Sequence, residues 1–349
     1  MKNNHALSLS KLFLKYRPQR SQAAQKSRGF TLIELLIAMV MSSIILGALL
    51  TFINTLLNSE RQEQAKATTE QEIQAALDYI AQDLQQAVYI YDADGLNNTY
   101  TNATDTTPGI QDQIPPVADR ADGCGSSTPT CVPVLVFWKR EYKQGVMPVT
   151  GITDKDDTFV YSLVAYFLTK GDSSNIWSNN ARIRRFQIQG GVVNPTTPTN
   201  TNGSPNYITG ETPSNGFMPF NLTVPGSTLQ EKMNRWQKAT TSKNIGNAVD
   251  YNAEARVLID FVDKNITDIT PNCSTGTQQV PSTLVGGFYA CVNSAKTIAQ
   301  VFVRGNALAR LNPNNTYNST QSVYFPTTSI HVKGRGFLGS QTPPAKLVA

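Results

Sequence analysis

Ser27-Arg28-Gly29-Phe30-Thr31-Leu32-Ile33-Glu34-Leu35-Leu36-Ile37-Ala38 decides how the rest of this chain is read. A basic, polar leader stops at Gly29, an apolar run continues to Leu57, and a polar helical pattern follows. Between Phe30 and Leu57 the only charged side chain is Glu34. An isolated carboxylate at bilayer depth costs about 2.5–3.5 kcal/mol or more, so it calls for a functional partner. A secretory signal peptide shares the basic start and apolar core, but it is cut after that core, behind small residues. No such site stands cleanly after Leu57. An ordinary transmembrane anchor needs about 20 apolar residues, which Leu35 to Leu57 supplies, but it has no use for Glu34 beside a Gly-Phe junction.

The order Gly–Phe–Thr–Leu–Ile–Glu, basic before and apolar after, resembles the processing site of type IV prepilins and pseudopilins. The resemblance implies cleavage between Gly29 and Phe30 by a prepilin peptidase and N-methylation of Phe30. It also implies an assembly role for Glu34, the fifth residue after the cut. The partners it implies are other pilins or pseudopilins, an inner-membrane assembly platform and the ATPase of that platform. The size of the remaining domain, the strand Phe159–Leu168 followed by Arg182–Phe186, and Ala299-Gln300-Val301-Phe302-Val303-Arg304-Gly305-Asn306-Ala307 are similar to the larger minor pilins of the pseudopilin-J kind. Within these the chain resembles the cyanobacterial pseudopilins linked to hormogonium polysaccharide secretion. Thr51 stands where many pilins carry a helix-kinking proline.

Charge supports a membrane orientation. The 349 residues carry 30 Lys and Arg against 25 Asp and Glu, but seven of the cations lie in residues 1–29, which have no acidic residue. The rest of the chain is therefore net −2. The basic leader would hold the N-terminus in the cytoplasm by the positive-inside rule. Together with the resemblance, that orientation implies a single-pass protein of the bacterial inner membrane, with a periplasmic C-terminal domain and a place in a pilus or pseudopilus after assembly. The domain then matures in an oxidising compartment, where cysteines pair. Cys124, Cys131, Cys273 and Cys291 allow three pairings. The spacings favour the local bridges Cys124–Cys131 and Cys273–Cys291, and they miss the usual zinc-finger pattern.

The domain reads as α+β, with a long N-terminal helix on one face of an antiparallel sheet. Residues 1–29 form the leader and 30–57 the transmembrane or filament-core helix. An amphipathic helix is expected over 58–90, with Ile73, Ala76, Leu77, Ile80, Leu84 and Val88 as its apolar stripe. A β-rich domain follows over 91–332, with long loops at 92–131 and 190–227, and residues 333–349 read as a flexible tail. Strands are expected over Val132–Trp138, Thr158–Leu168, Arg182–Gln189, Arg256–Val262, Thr297–Arg304, Gln321–Phe325 and Ser329–Val332. Thr228-Leu229-Gln230-Glu231 reads as a capping box opening a helix to about Lys238.

Catalytic motifs are missing. His331 is the only histidine after the leader, and there is neither a G-x-S-x-G elbow nor a phosphate-binding loop. A triad would have to recruit His331, and nothing in the pattern gives it partners. The chain is read as no enzyme, with no catalytic residue, cofactor or metal. Asp92 and Asp94 have the oxygen chemistry for calcium, but the other ligands of an EF-hand loop are absent and D-x-D-G is a common turn. Arg182, Arg184 and Arg185, like Lys333 and Arg335, alternate with core positions and read as a solvated face, which makes nucleic acid an unlikely partner. The function expected is a minor pilin or pseudopilin subunit in filament initiation or assembly, serving motility or the export of polysaccharide or protein. The alternative is an adhesin or DNA-uptake minor pilin that binds a ligand through its globular domain.

Overall fold

The computed structural model describes residues 29–114, 130–149, 151, 153–171, 176–201, 203–239, 251 and 253–336. Helix α1 (Leu32–Gln85) crosses from one compact unit, ending at Leu57, into a second that begins at Asn58. In the second unit the expected stripe is buried: Ile73, Ala76, Leu77, Ile80 and Leu84 all lie in the core. The stripe stops short of Val88. Gln86 turns, and Ala87–Ile90 forms strand β1 with all four residues buried. Val, Tyr and Ile suit a doubly covered strand, and pairing with Phe137–Lys139 overrides the helical spacing.

Two antiparallel sheets follow. The first has the order β1 (Ala87–Ile90), β2 (Thr130–Pro148), β3 (Lys155–Lys170), β4 (Ala181–Gln189), β5 (Arg256–Val262). The second has the order β6 (Gln278–Val280), β7 (Phe288–Asn293), β8 (Ile298–Arg304), β9 (Thr327–Lys333). The sequence led us to expect one sheet. Strands β1, β6 and β7 were not anticipated, and Gln321–Phe325 is not a strand: Ser319–Tyr324 is a 3₁₀ segment whose start is capped by the Asn318 side chain. Cys273 is joined to Cys291 of β7. Cys131 opens β2 beside Thr169, while Cys124 lies outside the described residues.

Strand alternation divides the first sheet into two faces. On one, Lys139, Glu141, Ser162, Tyr166, Arg185 and Gln187 share parity across the register, and Lys139, Tyr166 and Arg185 meet α1 at Asp83. On the other, Trp138 packs edge-on against Phe217, Phe220 and Trp236. Residues 190–227 are therefore no free insertion, since their aromatic residues cover the sheet face away from α1. Helix α3 is also shorter than expected, running Leu229–Met233, although Thr228 caps it through Glu231 N–H as anticipated.

The α1 face is held by charge. Asp83 accepts from Lys139 Nζ (2.9 Å), Tyr166 Oη (2.6 Å) and Arg185 Nε (2.7 Å). Lys139 also pairs with Glu141 (2.5 Å), whose oxygens take Ser162 Oγ and the amides of Gln187 and Gln189. Two carboxylates against two cations leave the group neutral, which is what permits its burial. Arg185 is thus no solvated-face residue. Arg182 is buried as well, with Nη2 donating to Gly171 O (2.7 Å).

Burial pushes the Asp83 carboxyl up, but the hydrogen bond and charge of Arg185, with Tyr166 and Lys139, hold it below the usual carboxylate range. A lowered folded-state value gives stability that is present above the unfolded value, about 3.9, and lost as pH falls through the folded one. Asp83→Ala should cost about 3–5 kcal/mol in urea unfolding of the full chain in micelles, because it leaves buried cations unpaired. The gap between the wild type and Asp83→Asn should close below about pH 4; a gap constant with pH would rule out the ionised pair. Replacing Cys273 and Cys291 by Ser should cost about 2–4 kcal/mol in the same assay.

Candidate functional site

The candidate site is the segment from Gly29 to Leu57. Thr31 is the residue before α1, and its hydroxyl accepts from Glu34 N–H (3.3 Å) while Glu34 Oε2 accepts from Thr31 N–H (3.4 Å). This reciprocal pair is a capping box. It satisfies orphan donors of the first turn and places a carboxylate where the helix dipole favours one. The T-x-x-E signal was legible in the sequence but was overlooked there, because Glu34 was weighed only as a membrane charge.

Beyond this turn the helix is apolar on every side. Leu32, Leu36, Ile44 and Phe52 are each more than half exposed, in a stretch with no buried residue. The hydroxyl residues within it are self-satisfied. Ser42 and Ser43 donate to the carbonyls of Met39 and Val40, and Thr51 and Thr55 to those of Gly47 and Thr51, at 2.8–3.0 Å. None of these hydroxyl groups is left needing water, as hydrocarbon requires. The helix is unbroken at Thr51. An added Cβ on Gly29 would meet nothing within 4 Å, so the fold places no demand on that glycine. Any requirement for it must come from outside the chain.

The remaining candidates are dispersed. Asp92 caps the short helix α2 (Ala93–Asn97), accepting from Gly95 N–H, and its other oxygen takes Gln230 Nε2 (2.8 Å) and Ser294 Oγ (2.6 Å). Asp94 accepts from Gln278 Nε2 (2.9 Å). Both carboxylates are engaged as hydrogen-bond acceptors, and no group of three metal-ligating side chains occurs among the described residues. His331 is exposed on β9. Lys333 ends β9, and Arg335 lies just beyond it.

Comparison with known proteins agrees with the helix. Residues 24–50 match the family model of the prokaryotic N-terminal methylation motif, the signal of type IV pilin-like proteins processed by prepilin peptidase. That motif family is structural, and it assembles with other pilins. No curated protein and no solved structure matches the chain.

The capping box makes its own prediction. Thr31→Val keeps the side-chain shape but loses the hydroxyl, at a cost of about 1 kcal/mol. Amide exchange in the first turn of α1, measured in micelles, should quicken about fivefold. Unchanged exchange would mean the box contributes nothing.

Proposed function

We propose that this chain is a minor pilin or pseudopilin subunit of a type IV pilus-like or secretion filament, cut between Gly29 and Phe30 and methylated on Phe30. The observation that carries the reading is the motif match over residues 24–50 on a helix whose apolar surface is exposed all round and interrupted by the single charge of Glu34. The basic leader keeps the N-terminus cytoplasmic and the domain after Leu57 periplasmic. The apolar helix passes from lipid into a filament core, driven by an assembly platform and ATPase on separate chains. Head-to-tail contacts that do not close generate such a filament. The larger pseudopilin-J-like minor pilins are the subgroup favoured, on domain size and the Ala299–Ala307 segment.

Glu34 supplies register. In lipid its carboxylate lies near the cytoplasmic face, where snorkelling relieves it. Among packed apolar helices that relief is gone, and the amine freed at Phe30 of a neighbouring subunit is the partner we assign. An ion pair of this kind adds little net stability, but losing one member strands a buried charge at about 3–5 kcal/mol. Only a cleaved and aligned subunit offers the amine.

Two measurements test the reading. A Cβ added at Gly29 meets nothing within 4 Å, so an uncut, membrane-inserted Gly29→Trp precursor reports on the peptidase. Mass spectrometry of the wild type should begin at methylated Phe30; an N-terminus beyond Leu57 would make the segment a secretory signal. For Glu34, immunoblots of sheared filaments and membranes should show Glu34→Ala cleaved and inserted but depleted from filaments about tenfold or more. Glu34→Asp should be partly active. Glu34→Gln separates two roles, because glutamine also completes a capping box: its depletion isolates the charge, and normal incorporation would leave Glu34 with the cap alone.

A further inference from the structure

A cleft of about 460 Å³ opens where four separate segments meet. Its walls are Tyr89 of β1, Thr228 and Gln230 at the start of α3, Ser294 to Thr297 of the β7–β8 turn, and Lys333 to Gly336 after β9. Three cations line it: Lys296, Lys333 and Arg335. Among the described residues none of the three forms an ion pair. The segment that carries two of them is fixed by the backbone. Gly334 N–H donates to Thr297 O (2.8 Å) and Gly336 N–H to Ala87 O (3.0 Å). Gly334 also approaches so closely that an added Cβ would lie 2.7 Å from Ala87 O. The cations are therefore presented by an anchored strap, although their side chains are exposed.

A second observation is independent of charge. Tyr89 is 1% exposed, lines this cleft, and its hydroxyl has no hydrogen-bond partner. Ser294 Oγ gives its own proton to Asp92 at 2.6 Å, so towards the Tyr89 hydroxyl it can only accept. A buried hydroxyl without a partner carries a desolvation cost that a ligand acceptor removes. Burial first, then the charges of Tyr91, Asp92 and Asp94, raises the Tyr89 hydroxyl well above its usual value and keeps it protonated. Asp92, which does not line the cleft, has its oxygens occupied by Gly95, Gln230 and Ser294.

We propose that this cleft binds an oxyanion, a carboxylate, sulfate or phosphate, carried on a small polyhydroxy molecule. The cations and the Tyr89 hydroxyl recognise the charged group. The hydroxyls and amide of Thr228, Gln230 and Thr297 suit a hydroxylated body, and the volume is that of a small-molecule site rather than of a bare ion. The assignment does not rest on the filament reading.

Calorimetric titration of the full chain in micelles tests it, with sodium glucuronate, sodium sulfate and glucose as probes at one ionic strength. Glucuronate should bind saturably, glucose should not, and sulfate should bind about tenfold more weakly than glucuronate. Lys333→Gln with Arg335→Gln alters exposed side chains only and should weaken glucuronate about tenfold or more, and Tyr89→Phe by about threefold to tenfold. Absence of saturable glucuronate binding, or binding untouched by the double variant, would overturn the site. Sulfate binding as tightly as glucuronate would overturn the polyhydroxy body, and equal binding of glucose would overturn the charge reading.

Discussion

The domain depends on one buried carboxylate. Asp83, near the C-terminal end of α1, accepts from Lys139 on β2, Tyr166 on β3 and Arg185 on β4. Three adjacent strands thus converge on one helical position. An apolar stripe alone lets a helix slide or rotate by a residue at modest cost, because packing of similar side chains is tolerant. A neutral four-charge cluster is not tolerant, since a shift of one residue would strand ions in a dry interior. The stripe from Ile73 to Leu84 supplies burial, and Asp83 supplies uniqueness.

The second sheet grips the same helix further towards its middle. Gly305, at the end of β8, comes so close that an added Cβ would lie 2.5 Å from Thr69 and 2.6 Å from Ile73. Arg310 donates through Nε to Thr69 Oγ1 (2.8 Å) and pairs with Glu72 while lying 4.3 Å over the Phe261 ring. Asn306 caps the 3₁₀ segment Ala307–Arg310 and donates its N–H to Phe261 O (2.8 Å). Arg304 reaches the carbonyls of Thr267 and Asn265 and the carboxylate of Asp263. The Arg304-Gly305-Asn306 stretch, which at the level of sequence served only as a point of resemblance, is the corner at which the second sheet meets the helix.

What could be read from sequence followed the range of the interaction. The Gly29–Phe30 junction, the apolar run and the stripe of α1 are local patterns, and they were legible. So were β3 to β5, the first half of β2, which runs on to Pro148, and the Thr228 cap. Arg182 and Arg185 were misread because strand alternation says nothing of a partner at Asp83, 102 positions from Arg185. Strand β1 was lost because Val88 continues a helical spacing until pairing with β2 decides otherwise. Loop 190–227 looked free because its composition is polar, yet Phe217 and Phe220, only three residues apart, are what cover Trp138. The cationic cleft was half legible: Lys333 and Arg335 were visible as a cluster, but Lys296 and Tyr89 join them only through the pairing of β8 with β9 and the contact of Gly336 with Ala87.

The two carboxylates that matter most on α1, Glu34 and Asp83, follow the same physics in different surroundings. Glu34 interrupts an apolar run and Asp83 lies beside an apolar stripe, and each would be costly if buried alone. Asp83 finds its cations within the chain, so its cluster closes during folding and specifies how the helix lies on the sheet. Glu34 has no cation in the described segment around it; its carboxylate is turned back on Thr31 N–H in the capping box, one residue from the nitrogen that cleavage would free. On the proposed reading, a subunit built this way stays soluble in lipid while the cap and the membrane face share the charge, and it acquires a strong demand for a cation only when neighbouring helices exclude both. On that reading, the same device that fixes register inside the domain fixes it between subunits, with the partner withheld until processing supplies it.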